Sequence, residues 1–155
     1  MSIRLVFVNG GGSVRKLNQS NKKSGSDFEK EFCELVGNAG FWAHCVQDNK
    51  NGQPADVIVS KNNNAALVDC KDCEHDIFPL SRIEENQELA MTKWLSCGNL
   101  YADFALKTSA GIRIIGIEEL LELREQGIKK LDLAQLIENS ISFSEWVEVF
   151  GGPDC

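Results

Sequence analysis

A mixed α/β fold, with one β-sheet flanked by helices, is the class this sequence predicts. Apolar residues recur at helical spacing in two stretches, near residues 26–40 and 83–96. Runs rich in Val, Ile and Ala, punctuated by Gly and Asn, fall between and after them. The resulting order of elements, βαβββαββαα, interleaves the two types along one chain, which places the strands in a shared sheet. A length of 155 residues, with 43% hydrophobic and 25% charged side chains, suits one domain with its own core.

Taken in order, Ile3 to Val8 reads as a short strand stopped by Asn9-Gly10-Gly11-Gly12. Residues 13–25 are polar and basic, so residues 1–25 form a basic strand and flexible arm, and residues 26–155 a single domain. A helix starts at Ser26. Phe28, Phe32, Leu35, Val36 and Ala39 share one stripe, and Gly40 ends it. Phe41 to Val46 is expected to be a strand, followed by a polar loop, Gln47 to Pro54. Ala55 to Ser60 and Ala65 to Lys71 read as the arms of an antiparallel hairpin turning through Lys61-Asn62-Asn63-Asn64. A second amphipathic helix runs from about Ile83 to Ser96, ended by Cys97-Gly98-Asn99. Leu100 to Leu106 and Ile112 to Ile117 are two more strands. Glu118 to Gln126 and Leu133 to Glu138 close the chain as short helices.

The formal net charge is -7, which by itself argues against a polyanionic partner. The charge is unevenly spread. Residues 1–26 hold five basic and no acidic side chains, whereas residues 27–116 hold fourteen acidic against eight basic, and residues 117–155 nine against three. Phosphate contacts are therefore expected from Arg15, Lys16, Lys22 and Lys23 in the arm and from Arg82, with Lys93 also available. The acidic surplus beyond residue 117 is expected to be a solvated face. No run of 18 apolar residues exists and no signal-peptide pattern opens the chain, so a membrane role is not expected and a cytoplasmic location is. Six cysteines in a long, Leu/Ile/Val-supplied chain are expected to be reduced thiols.

The chemistry concentrates on the hairpin. Strand side chains alternate faces, so Asp69 and Lys71 point the same way. If Ser60 pairs with Ala65, Asp56 falls opposite Asp69, and side chains directly opposed on one face have Cβ atoms about 4.5–5.5 Å apart. Two carboxylates that close, among apolar strands, require a shared proton, a cation or a metal. Lys71 brings one positive charge, and a hard divalent ion such as Mg²⁺ suits carboxylate oxygens. Glu29 flanks the stripe of the first helix and has two readings. It is either a third acid of this cluster or the reach-back residue of a capping box, Ser26-Asp27-Phe28-Glu29. Gln87 lies within the inner face of the second helix, where a polar side chain needs hydrogen-bond partners.

Gly25 upstream of Phe28-Glu29, then Pro54-Ala55-Asp56, Asp69-Cys70-Lys71 and Gln87, in this order and spacing, resembles the PD-(D/E)XK nuclease superfamily, in particular Holliday junction resolvases of the RecU and archaeal Hjc type. The stretch Phe78 to Gln87 is similar to the segment that follows the catalytic lysine in RecU, and the resemblance spans roughly residues 22 to 138. It implies a restriction-endonuclease-like fold and a Mg²⁺-dependent phosphodiesterase, with Mn²⁺ as an alternative ion. By resemblance, Asp56 and Asp69 ligate the metal together with the Cys70 carbonyl oxygen, and Glu29 completes the acidic cluster. Lys71 orients or activates the attacking water, and Gln87 positions the site. The implied substrate is branched DNA such as a four-way junction, and the implied assembly is a homodimer that cuts two strands symmetrically.

Two other readings stand beside this one. The first is a DNA-binding module of the same fold that has lost catalysis. The second is zinc or redox use of Cys70-x-x-Cys73, with Cys97, His75 or Cys45 as further ligands. His44 and His75 otherwise read as incidental, and Trp94, Trp146 and the phenylalanines as core.

Overall fold

In the computed structural model, which describes residues 27–47 and 52–151, the apolar stripe beginning at Phe28 forms a helix, α1, over residues 27–38. Gly40, at φ +88°, then reverses the chain into the edge strand β1 (Trp42–Cys45). The strand and arm expected over residues 1–25, with Arg15, Lys16, Lys22 and Lys23, lie outside the described residues, as does the Ser26 of the expected capping box. The hairpin forms with the expected register. β2 (Val57–Lys61) and β3 (Asn64–Asp72) pair Ser60 with Ala65 and Val57 with Val68. The turn is tighter than expected, because Asn62 (φ 51°) and Asn63 (φ 64°) both take the left-handed conformation of a two-residue loop, which Asn tolerates.

From β3 the chain passes through two short 3₁₀ turns, with the two-residue strand β4 (Phe78–Pro79) between them, to α2 (Glu85–Ser96). α2 starts two residues later than the sequence suggested. Ile83 stays extended, and Glu84 caps the helix in a reciprocal box with Gln87. β5 (Tyr101–Thr108) then lies parallel to β3, and β6 (Gly111–Gly116) antiparallel to β5. α3 (Ile117–Glu125), β7 (Lys130–Leu131), α4 (Leu133–Asn139) and β8 (Ile141–Ser142) follow. A last helix, α5 (Phe143–Gly151), was not expected. The main sheet has six strands in the order β1-β2-β3-β5-β6-β8, and β4 pairs with β7 in a small second one. The mixed α/β class read from the sequence is the class observed.

Each face of the sheet has its own core. Leu67, Phe104, Leu106 and Ile115 pack with Met91 of α2, Leu120 of α3 and Leu136 of α4. Ala66, Val68, Val57 and Val59 point the other way and pack with Phe28, Phe32 and Val36 of α1 and Trp146 and Phe150 of α5. This two-sided cover explains why β3 reads as a nearly continuous apolar run rather than an alternating one. A chain of ring contacts links α1 to α5, with Phe41 and Trp146 stacked at 5.4 Å and Trp146 and Phe150 at 5.2 Å. Asp103 of β5, buried, accepts a hydrogen bond from Trp146 Nε1 (3.0 Å) and so ties α5 to the sheet.

The cysteine expectation needs correction. Cys33 of α1 and Cys45 of β1 are joined in a disulfide, because the α1 face of β1 brings the two side chains together. Cys70, Cys73 and Cys97 are free.

Candidate active site

The site lies where β2 stops and β3 continues. Asp56 immediately precedes β2, and the ladder extends one row past that strand. Its N–H donates to the Val68 carbonyl (3.1 Å) and its carbonyl accepts from the Val46 N–H (2.8 Å). The paired register ends at Val57 and Val68, and because the Asp56 N–H also reaches the Val68 carbonyl, Asp56 sits one residue out of step with the expected pairing to Asp69, while its carboxyl still acts on that of Asp69. Beyond this row β3 has lost its partner on that side, and the Cys70 N–H donates instead to Asp56 Oδ2 (2.7 Å). In a strand the N–H and C=O of one residue point the same way, so the Cys70 carbonyl also faces the Asp56 side. Asp56 Oδ1 accepts from Gln53 Nε2 at 2.6 Å.

Asp69 has no exposed surface. Its Oδ1 accepts from Gln87 Nε2 (2.7 Å), a bond that spans from β3 to the first turn of α2. Lys71 Nζ stands 3.1 Å from Oδ2, an ion pair without the angular fit of a hydrogen bond. Burial, and then the neighbouring charge of Asp56, push the Asp69 carboxyl up to about 8 against the pull of Lys71. Both ends of the Gln87 amide are used, and the capping role was not expected from the sequence. Its Oε1 accepts from the Glu84 N–H (3.3 Å) in the helix cap, while its amide nitrogen holds Asp69.

Glu29 is half-buried on α1. The Cys70 thiol is buried in the core on the α1 face. It is raised well above its ordinary value by burial first, then by Asp56, Asp69 and Glu29, with Lys71 opposing. All four charged residues singled out from the sequence thus act electrostatically on this position. Among the described residues no three His, Cys, Asp or Glu side chains converge on one point as a ready-made ion cage. A site of two carboxylates and a backbone carbonyl is not such a cage. These donors are all hard oxygens, and a buried acid pair balanced by a single nearby lysine lacks positive charge. The residues fit a hard divalent cation. Cys70 and Cys73 do not form one thiol pair, because Cys70 is buried in the core on the α1 face of the sheet and Cys73 in the core on the α2 face.

Arg82, expected to meet phosphate, donates through Nη1 to the Asp72 carbonyl (2.9 Å) and lies over the Phe78 ring at 5.9 Å. These contacts anchor the segment between β3 and α2. Gln53 was missed. It sits in a loop that reads only as polar, and nothing in its spacing marks it as the partner of Asp56. Its backbone carbonyl in turn accepts from Asn86 Nδ2 of α2 (3.1 Å), so the loop is tied to the same helix that holds Asp69.

No family model matches the sequence, and no curated protein matches it. Among solved structures, the chain is similar to Hjc from Archaeoglobus fulgidus, a Holliday junction resolvase from an archaeal hyperthermophile. The TM-score is 0.62 at 19% sequence identity, over 80% of this chain and 100% of that one. The chain has the fold of that resolvase: a six-stranded mixed sheet flanked by helices, the restriction-endonuclease-like arrangement.

Proposed function

We propose that the chain is a divalent-metal-dependent, structure-specific endodeoxyribonuclease that cuts branched DNA, four-way junctions foremost, as a homodimer. The observation that carries this reading is the convergence of Asp56, Asp69, Lys71 and Gln87 at the open end of the hairpin, within a resolvase fold. Mg²⁺ or Mn²⁺ would be held by Asp56, Asp69 and the Cys70 carbonyl. When bound, the ion supplies positive charge and polarises a phosphate oxygen.

The rest of the work falls to the chain. The Cys70 N–H and Gln53 fix the two oxygens of Asp56. Gln87 fixes the rotamer of Asp69 from a rigid helix start. Lys71, mostly buried and held 3.1 Å from Asp69 Oδ2, would orient the attacking water or meet the charge that develops on the phosphate oxygens. Glu29 extends the acidic edge from α1. The basic arm, and the remaining N–H groups of Arg82, contact flanking phosphates without reading sequence.

The test is incubation with a four-way junction and with a linear duplex of the same arm sequences, in Mg²⁺ and in EDTA. The expected result is cleavage of the junction in Mg²⁺ alone. A junction that is bound but left intact in both Mg²⁺ and Mn²⁺ would show a binding module instead.

A further inference from the structure

We propose that Trp42 and His44 form a stacking platform for an unpaired nucleobase beside the cleavage site, a proposal that rests on the nuclease reading above. Trp42 is 62% exposed, on the edge strand β1, whereas Trp146 is buried and Trp94 half-buried. Its ring lies parallel to that of His44, with an angle of 8° between planes and 6.0 Å between centroids. The two rings are stacked on one another, and both side chains are exposed to solvent.

The register places this surface. Side chains two residues apart on a strand share a face, so Trp42, His44 and Val46 point the same way. Across the sheet, Trp42 lies opposite Ser60 and then Ala65, and His44 opposite Ile58 and then Leu67. Next along β1, Val46 lies against Asp56, and along β3 Asp69 follows Leu67 by two residues on the same face. The platform is therefore on the same face as Asp69, one and two rows away, about 7 and 13 Å along the strands. The residues beside Trp42 in its row, Ser60 and Ala65, are small and only half-buried, which leaves a shallow open floor next to the ring. α2 covers Leu67 but not this row.

An aromatic face of this kind is recognised by a π-surface that has lost its own stacking partner. Bases in an intact duplex are stacked on both sides and offer none. Bases at a branch point, or in a strand drawn out toward the acids, do. The occupant is thus a base of the DNA strand that enters the site, and the platform selects distorted over regular duplex without hydrogen-bond readout.

The test measures binding of a fluorescein-labelled four-way junction in EDTA, where no cleavage occurs, by anisotropy, and in parallel the intrinsic tryptophan emission. Trp42→Ala is expected to weaken junction binding about tenfold, with His44→Ala smaller, while linear-duplex binding stays unchanged. Trp42→Phe is expected to keep most of the affinity and to lose the quenching that the junction causes in the unmodified protein. Equal junction affinity of Trp42→Ala and the unmodified protein, with cleavage in Mg²⁺ intact, overturns the platform and leaves the nuclease reading standing. Loss of self-association in Trp42→Ala at unchanged DNA affinity also overturns it, and assigns the face to a second copy of the chain. Failure of the unmodified protein to bind or cut the junction defeats both readings.

Discussion

Asp69 and Asp103 are both buried carboxylates, yet their surroundings differ. Asp69 has a second acid and a lysine beside it, whereas Asp103 has one neutral donor, Trp146. Burial pushes Asp103 up to about 6, with the Trp146 bond pulling down and Glu119 adding slightly to the rise. A folded-state value above the unfolded one means that the native protein binds the extra proton between pH 4 and 6. The stability this group contributes is complete below about pH 4 and is lost as pH rises through 6. Asp103→Asn can still accept from Trp146 and never ionises. It is expected to be the more stable protein at pH 7, by up to about 3 kcal/mol, with the advantage vanishing near pH 4. Urea unfolding of both proteins at pH 4, 5, 6 and 7 measures this, and a constant difference across the range would refute it. The acids of the site were legible at this scale because hairpin register is a matter of counting. Gln53, Asp103 and the Cys33–Cys45 link were not, because each depends on which elements pack together, and spacing along the chain says nothing about that.

The elements divide along the same line. α1, the hairpin, α2, β5 and β6 follow from periodicity and from the turn chemistry of Asn62-Asn63, and their observed bounds differ from expectation by a residue or two. α5 was missed because Phe143, Trp146, Val147, Val149 and Phe150 make a short apolar stretch that reads as core without specifying a helix. It is the packing of Trp146 and Phe150 on Phe32 and Phe41 that settles its place. β4, β7 and β8 are two-residue pairings that no propensity argument detects. The start of α2 joins structure to chemistry, since one side chain, Gln87, closes the capping box and holds Asp69. Gln87→Ala is therefore expected to cost about 1–2 kcal/mol in urea unfolding. The same substitution should slow single-turnover junction cleavage about a hundredfold with little change in junction affinity. An unchanged cleavage rate in a destabilised variant would reduce Gln87 to a helix cap.

For the whole molecule, the net charge of -7 is compatible with a nucleic-acid partner once its distribution is considered. Glu118, Glu119, Glu122 and Glu125 lie exposed on α3, whereas Asp56 and Asp69 belong to the interior of the site. In the sheet, α2 supports the acids from one face, and α1, carrying Glu29, covers the other. The platform of Trp42 and His44 extends the α2 face to the edge. Among the described residues no helix is long and apolar enough to cross a membrane. The proposed function puts the breaking of a phosphodiester bond, helped by a divalent ion, at the open end of the hairpin. It is tested most directly by single-turnover cleavage of a four-way junction by the unmodified protein, Asp69→Asn and Lys71→Ala, with Mg²⁺, Mn²⁺ and EDTA, alongside junction affinity in EDTA. Cleavage by the unmodified protein is expected with either ion, and none in EDTA. Both variants should lose about a thousandfold or more in rate while still binding the junction. Cleavage that persists in EDTA, or a Lys71→Ala protein that cuts as fast as the unmodified one, would contradict it.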